Sequence, residues 1–377
     1  MDANLDCLTG AERAGLALRA LYRSWGFSQY RMNKFEEYDL YAQNRDVLAA
    51  EQILSFTGPD GRLMALKPDV TLSIVRNTRD SAGGVRKLYY SEKVYRAERG
   101  GPFRELSQVG LECLGELDDC TLTQVLLLAA ESLRLLAPGA PGTACPAADW
   151  LLAVSQPDLT AQLLDRAGLN AAARAAAWDC IAKKTPHELR RVCREAGASE
   201  ESAGALERLL RCTGSPAEAL PVLRALGCGG EALEGFSRIL AALERLGLGE
   251  RLLVDFSAAG ELDYYNGLVF RGYVGGVPDA VLSGGRYDRL LERFGRRDRA
   301  AGFAVSLDLL ERLWERPEDA DCDLLLRYGP GADPAALAEA VRARQAAGAR
   351  VDAQRAAPDG LRYGRMEDYA EGGVEAR

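Results

Sequence analysis

Residues 87–116, "KLYYSEKVYRAERGGPFRELSQVGLECLGE", read as two strands around a Gly-Gly-Pro loop, and this pair constrains the fold more than any other stretch. Alternation in "LSQVGLECLG" puts Gln108, Gly110, Glu112 and Leu114 on one face, opposite Ser107, Val109, Leu111 and Cys113. Gln108 and Glu112 therefore point the same way with only a glycine between them. A later stretch, "ELDYYNGLVFRGYV" (261–274), also reads as a strand, yet its first half carries Asp263, Tyr264, Tyr265 and Asn266. A phenol inside a protein needs a partner for its hydroxyl, so something polar is expected over that strand.

The remaining elements are arranged around these strands. "GAERAGLALRALYRSW" (10–25) has Leu16, Ala17, Leu21 and Trp25 at helical spacing, which predicts an amphipathic opening helix. "GPDGR" between apolar runs predicts a hairpin, and a helix follows Pro68. After a helix near 119–136, "APGAPGTACPAAD" marks a boundary, and residues 150–249, rich in Ala, Leu, Arg and Glu, are expected to be helical throughout. Strands return at "RLLVDFS", "ELDYYNGLVFRGYV" and "DAVLSGGRYDRLLERFG", followed by the helix-like "AAGFAVSLDLLERLWER". The last segment gives one β-α-β unit, "CDLLLRYGPGADPAALAEAVRARQAAGARVDAQR", and then a polar tail with no strand to add to it. The domain expectation is a core in two parts, 1–148 and 251–316, a helical insertion at 149–250 and a small C-terminal region at 317–377.

Composition narrows the function classes. The chain has 377 residues, 47% of them hydrophobic, enough for a sizeable core in two or three domains. No run approaches the ~18 apolar residues of a membrane span, and the first residues lack the pattern of a signal peptide, so a cytoplasmic protein is expected. A net charge of −8 argues against nucleic acid as the main partner. Nine cysteines without a C-x-x-C pair read as free, mostly buried thiols. The single histidine, His187, lies near a helix start, which rules out a multi-histidine metal site and disfavours a histidine relay. No metal and no cofactor are expected.

The order of motifs carries a resemblance. "ALKPDVT", "VYRAE…FRELSQVGLE", "LDYYNGLVF", "GGRYDRLLERFG" and "AGFAVSLDLL" resemble the successive signatures of the histidyl-tRNA synthetase fold, over residues 65–310. The resemblance implies an α+β class II synthetase-like core, an antiparallel sheet flanked by helices, carrying an inserted helical domain and a small β-α-β C-terminal remnant. It also implies a histidine pocket lined by Gln108, Glu112, Tyr264 and Tyr265, with Asp69 and Thr71 holding the α-amino end; the family motif has glutamate where Asp69 stands. Carboxylates bind ammonium groups through charge-assisted bonds, and a glutamate beside a phenol can hold both nitrogens of an imidazole.

Adenylation needs oriented cations where charge builds on the α-phosphate of ATP. Arg96 in "VYRAE" stands at the resemblance's phosphate-binding arginine, here read as vestigial. The other two arginines are lost: Gly260 in "AAGELDYYN" and Leu309 in "GFAVSLDL" occupy their positions, and Arg312 is the nearest substitute. One oriented charge contributes on the order of 10² to 10³ in rate, so two losses leave little adenylation. The short loop "GGPF" and the reduced C-terminal region likewise remove parts that meet tRNA.

A synthetase-like chain with the pocket but without these parts resembles the regulatory subunit of ATP phosphoribosyltransferase. That resemblance implies a non-catalytic protein with a homodimeric core. It would form a hetero-oligomer with a short catalytic subunit, support the first step of histidine biosynthesis and pass on feedback inhibition by histidine. tRNA is not an expected partner. The alternatives are a divergent histidyl-tRNA synthetase or a histidine-adenylating ligase, which need the same missing arginines. An RNA-sensing module is a further one, against which the lack of a basic C-terminal domain weighs.

Overall fold

Thr9 starts the first helix with a reciprocal cap: its side chain accepts from the Glu12 N–H while the Glu12 carboxylate accepts from the Thr9 N–H. The computed structural model describes residues 8–44, 52–81, 83–97, 101–137, 149–259, 265–314 and 320–369. The chain divides into two compact units, Met1–Trp314 and Glu315–Arg377.

The first unit opens with α1 (Gly10–Ser24), β1 (Ser28–Gln29), β2 (Phe35–Glu37), α2 (Asp39–Ala42), β3 (Ser55–Thr57), β4 (Leu63–Leu66) and α3 (Thr71–Asn77). The long hairpin of β5 (Val85–Ala97) and β6 (Phe103–Gly115) leads into α4 (Asp119–Leu136) and β7 (Trp150–Ser155). Helices α5 (Pro157–Arg166), α6 (Ala171–Ala182), α7 (Pro186–Glu195) and α8 (Glu200–Leu210), the short β8 (Thr213–Gly214), and α9 (Pro216–Ala225) and α10 (Gly230–Arg245) come next. The unit closes with β9 (Leu252–Asp255), β10 (Val269–Val274), β11 (Leu282–Arg286), α11 (Asp288–Arg293), β12 (Arg299–Ser306) and α12 (Glu311–Trp314).

Nine strands form one sheet in the order β1-β5-β6-β12-β11-β10-β7-β9-β8, antiparallel except at β1–β5 and β7–β9. Its two faces have different cores. Val109, Leu111 and Cys113 of β6 join an apolar cluster with α4, whereas Leu114 joins Tyr90, Tyr287, Leu290 and Leu291 in a second cluster. The expected alternation along β6 is therefore the one that sorts its side chains. The small sheet β2-β4-β3 contains the predicted hairpin at "GPDGR".

Several expectations are corrected. Trp150–Ser155, expected as helix, is a strand between β10 and β9, and helices α5, α8 and α10 share one apolar cluster with it and with α4. Arg299–Ser306, read as helix-like, is the strand that joins β6 to β11; only Glu311–Trp314 is α-helical in that stretch. In α1 the buried residues are Gly15, Leu18 and Tyr22, while Leu16 is 45% exposed. The apolar stripe is rotated because Tyr22 packs on Phe27, Tyr89 and Phe303 and bonds Ser132.

The second unit contains β13 (Cys322–Arg327), α13 (Pro334–Ala346), β14 (Val351–Gln354) and β15 (Tyr363–Asp368). Its sheet is parallel, in the order β14-β13-β15. β15 corrects the expectation of a tail without a strand: Arg327 and Asp368 pair across it, as do Arg362 and Asp321. No helix among the described residues is long and apolar enough to cross a membrane. Cys113, Cys180, Cys193, Cys212, Cys228 and Cys322 are free and buried, Cys120 is free and exposed, and His187 is exposed on the first turn of α7.

The sheet tolerates close packing only because of particular glycines. A Cβ on Gly302 would stand 1.9 Å from the Glu112 carboxylate. Gly204, inside α8, has open space around it. Gly302→Ala is expected to lower stability by about 1–3 kcal/mol through overpacking, and Gly204→Ala to raise it by about 0.5–1 kcal/mol. Denaturant midpoints of the two variants check both signs.

Candidate functional site

The site forms where α3, β6, β11 and β12 converge on one face of the sheet. Ladder pairing sets Gly302 of β12 opposite Glu112 of β6, and Gly110 opposite Tyr90 of β5. Both glycines make space: a Cβ on Gly110 would stand 2.5 Å from the Tyr90 hydroxyl. A Cβ on Gly285 would likewise stand 2.8 Å from the ring of Tyr265, so this glycine of "SGGRYD" serves close aromatic approach.

Glu112 is 2% exposed and held by two hydroxyls. Thr71, the first residue of α3, donates to Oε1 at 2.9 Å, and Tyr287, which precedes α11, donates to Oε2 at 2.5 Å. Burial pushes the Glu112 carboxyl up to about 8; the two hydrogen bonds oppose that rise and the nearby Asp69 charge adds to it. Asp69 Oδ1 accepts from the Leu72 N–H at 2.9 Å, fixing the start of α3. Its Oδ2 lies 3.9 Å from Arg96 Nη2. Tyr90 is 1% exposed, and burial raises its phenol well above the usual value.

These groups enclose a cavity of roughly 100 Å³. Asp69, Thr71, Arg96, Gln108, Glu112 and Tyr265, all anticipated from sequence, line it together. Thr71 also donates to Glu112. Tyr265 precedes β10, which begins at Val269, so it does not stand in the first half of that strand as expected. Tyr264 and Gly260 lie outside the described residues. Leu309 is 38% exposed in the turn Asp308–Leu310 and does not line the cavity; the side chain of Arg312 is outside the described set.

Tyr90, Ser283 and Tyr287 also line the cavity and were not anticipated. Period-two spacing carried the signal for all three: Ser283, Gly285 and Tyr287 alternate along β11 and its exit, and Tyr90 alternates with Glu92. Among the described residues no group of three His, Cys, Asp or Glu side chains could hold a metal ion. Chemically, the cavity offers two carboxylates, an amide, phenols and one guanidinium, a set suited to binding a small polar ligand with a positive end.

The model of the histidyl-tRNA synthetase family matches residues 8–310. The ATP phosphoribosyltransferase regulatory subunit of Moorella thermoacetica is 32% identical over 341 residues, 88% of this chain and 84% of the relative. That of Clostridium kluyveri is 30% identical over 302 residues, 77% of this chain and 74% of the relative. The chain belongs to the ATP phosphoribosyltransferase regulatory subunit family. A crystal structure described as an ATP phosphoribosyltransferase regulatory subunit/histidyl-tRNA synthetase, from Bacillus halodurans, superposes with a TM-score of 0.74 at 25% identity, covering 92% of this chain and 88% of that one. The histidyl-tRNA synthetase of Nostoc, at 16% identity and a TM-score of 0.66 over 94% of this chain and 85% of that one, shares the fold.

In this family member the buried carboxyl makes stability depend on pH. Glu112 ionises near 4.5 when exposed and near 8 when folded, so the folded state binds the extra proton between those values. Its contribution is full below about pH 4.5 and is lost as pH rises through about 8. Glu112→Gln, which cannot ionise, is expected to show a flatter stability profile from pH 5 to 8 than the parent. Urea midpoints at several pH values read the difference.

Proposed function

We propose that this chain is a non-catalytic subunit that assembles with a short ATP phosphoribosyltransferase catalytic subunit in the cytoplasm, supports its activity and transmits feedback inhibition by histidine. The observation that carries the proposal is the pairing of a retained cavity with lost cations. Glu112 sits buried between Thr71 and Tyr287, while Leu309 is not among the residues lining the cavity and Arg96 is the one guanidinium among the described residues lining it. Gly260 adds no charge at the other position where the synthetase resemblance has an arginine. Such a site is equipped for recognition and poorly equipped to stabilise charge on a triphosphate.

In this reading the imidazole of histidine reaches Glu112, with Gln108, Tyr264 and Tyr265 around it and the α-amino group at Asp69 and Thr71. Tyr287 and Tyr90 complete the wall. Regulation then requires only that histidine prefer one arrangement of the hetero-oligomer, a coupling of about 1–3 kcal/mol. A homodimeric core inside that assembly belongs to the same proposal. The net charge of −8 and the small second unit argue against tRNA as a partner.

Turnover by the catalytic subunit from the same organism, measured with and without this chain and then with histidine, tests the proposal. The expected result is higher turnover that becomes histidine-sensitive, with Glu112→Ala raising the inhibitory histidine concentration at least roughly tenfold. Turnover and inhibition that are indifferent to the chain would contradict the regulatory role; full histidine sensitivity in Glu112→Ala would move the effector site away from this cavity.

A further inference from the structure

The turn from β7 into α5 holds hydrogen-bonding capacity that the described residues do not use. Gln156 Oε1 is closed off from solvent without a hydrogen-bond partner, and so are Ser155 Oγ before it and Thr160 Oγ1 after it. Buried polar atoms left this way are a standing cost, and folded chains keep few of them. Gln156 is the N-cap residue of α5 but makes no side-chain cap bond. Pro157 at the first helical position has no N–H, and the Leu159 N–H is spent on the Gln156 carbonyl at 3.0 Å. The start of α5 is therefore short of donors, not of acceptors.

Gln156 lines a second cleft, of roughly 640 Å³, a volume suited to a small molecule. Its walls come from the starts of α4 and α5, from α10 and from the ends of β11 and β12, and it shares no described lining residue with the Glu112 cavity. Most of its charges are already closed. Arg238 pairs with Asp119 and Glu231, Arg286 is held by Asp288 at 2.7 and 2.8 Å, and Asp118 caps α4 on the Thr121 N–H. Asp158, two residues beyond Gln156, has no ion pair or hydrogen bond among the described residues, and neither has the exposed Arg299.

An amide oxygen and a carboxylate that both lack donors call for a ligand that brings N–H groups and positive charge. We propose that this cleft binds a small aliphatic cation, an alkyl guanidinium or ammonium, whose N–H groups bond Gln156 Oε1 and the Asp158 carboxylate and whose stem lies along Leu117 and Leu268. Two sources share that head: a basic amino acid, whose carboxylate Arg299 is placed to accept, and an amine without a carboxylate. The site is independent of the histidine-pocket reading above.

Calorimetric titration of the full chain with arginine, with agmatine, which lacks the carboxylate, and with norvaline, which lacks the guanidinium, tests this. Arginine or agmatine is expected to bind and norvaline not to. Asp158→Asn is expected to weaken the bound probe at least roughly tenfold, with Gln156→Met weakening it as well. If Arg299→Met weakens arginine and spares agmatine, the ligand is an amino acid; if the parent binds agmatine as tightly as arginine, it is an amine. Cys120 is exposed and lines the same cleft, so its alkylation in the parent, followed by peptide mass spectrometry, is expected to slow when the probe is bound. Absence of binding by both cations, norvaline binding as well as arginine, or a bound probe that leaves Cys120 alkylation and the Asp158→Asn titration unchanged would each overturn the proposal.

Discussion

A carboxyl group buried in the middle of a sheet needs donors, and the arrangement of the first unit follows from supplying them to Glu112. The hydroxyl of Thr71 arrives from the start of α3 and that of Tyr287 from the exit of β11. Gly302 across the ladder leaves the carboxylate room, and Gly110 on the same strand leaves room for the phenol of Tyr90. Moving any one of these elements would strand a polar group or force a clash, either of which costs a substantial part of a marginal stability.

Binding and catalysis place different demands on such a site. Recognition of a small polar molecule needs convergent donors and acceptors that are already in place, and the cavity has them. Adenylate formation needs cations placed where charge develops in the transition state. Arg96 remains, while Gly260 and Leu309 stand where the synthetase resemblance has arginines, and Leu309 does not line the cavity. Membership of the regulatory-subunit family and this division of the site point the same way.

Much of this was legible in the sequence, for a physical reason. The β5–β6 hairpin alternates because each face of it meets a different core, so Gln108 and Glu112 could be assigned to one side. Six of the cavity residues were found by motif. The failures share a cause as well. Arg299–Ser306 is buried almost throughout, and a strand covered on both faces loses the period that separates it from a buried helix. Trp150–Ser155 failed in the same way. Tyr363–Asp368 went unrecognised for the opposite reason: it is polar and exposed, and parallel pairing with β13 makes it a strand. Tyr287 was quoted within a glycine motif but not assigned to the site, because its hydroxyl partner lies 175 residues away in the chain.

The central claim is that the cavity retains ligand recognition without the chemistry of adenylation. Histidine-dependent exchange of pyrophosphate into ATP, run on the full chain beside a titration with histidine, addresses it most directly. The account predicts that histidine binds and that no exchange rises above background. Exchange that depends on histidine and disappears in Glu112→Ala would contradict it and make the chain an adenylating enzyme.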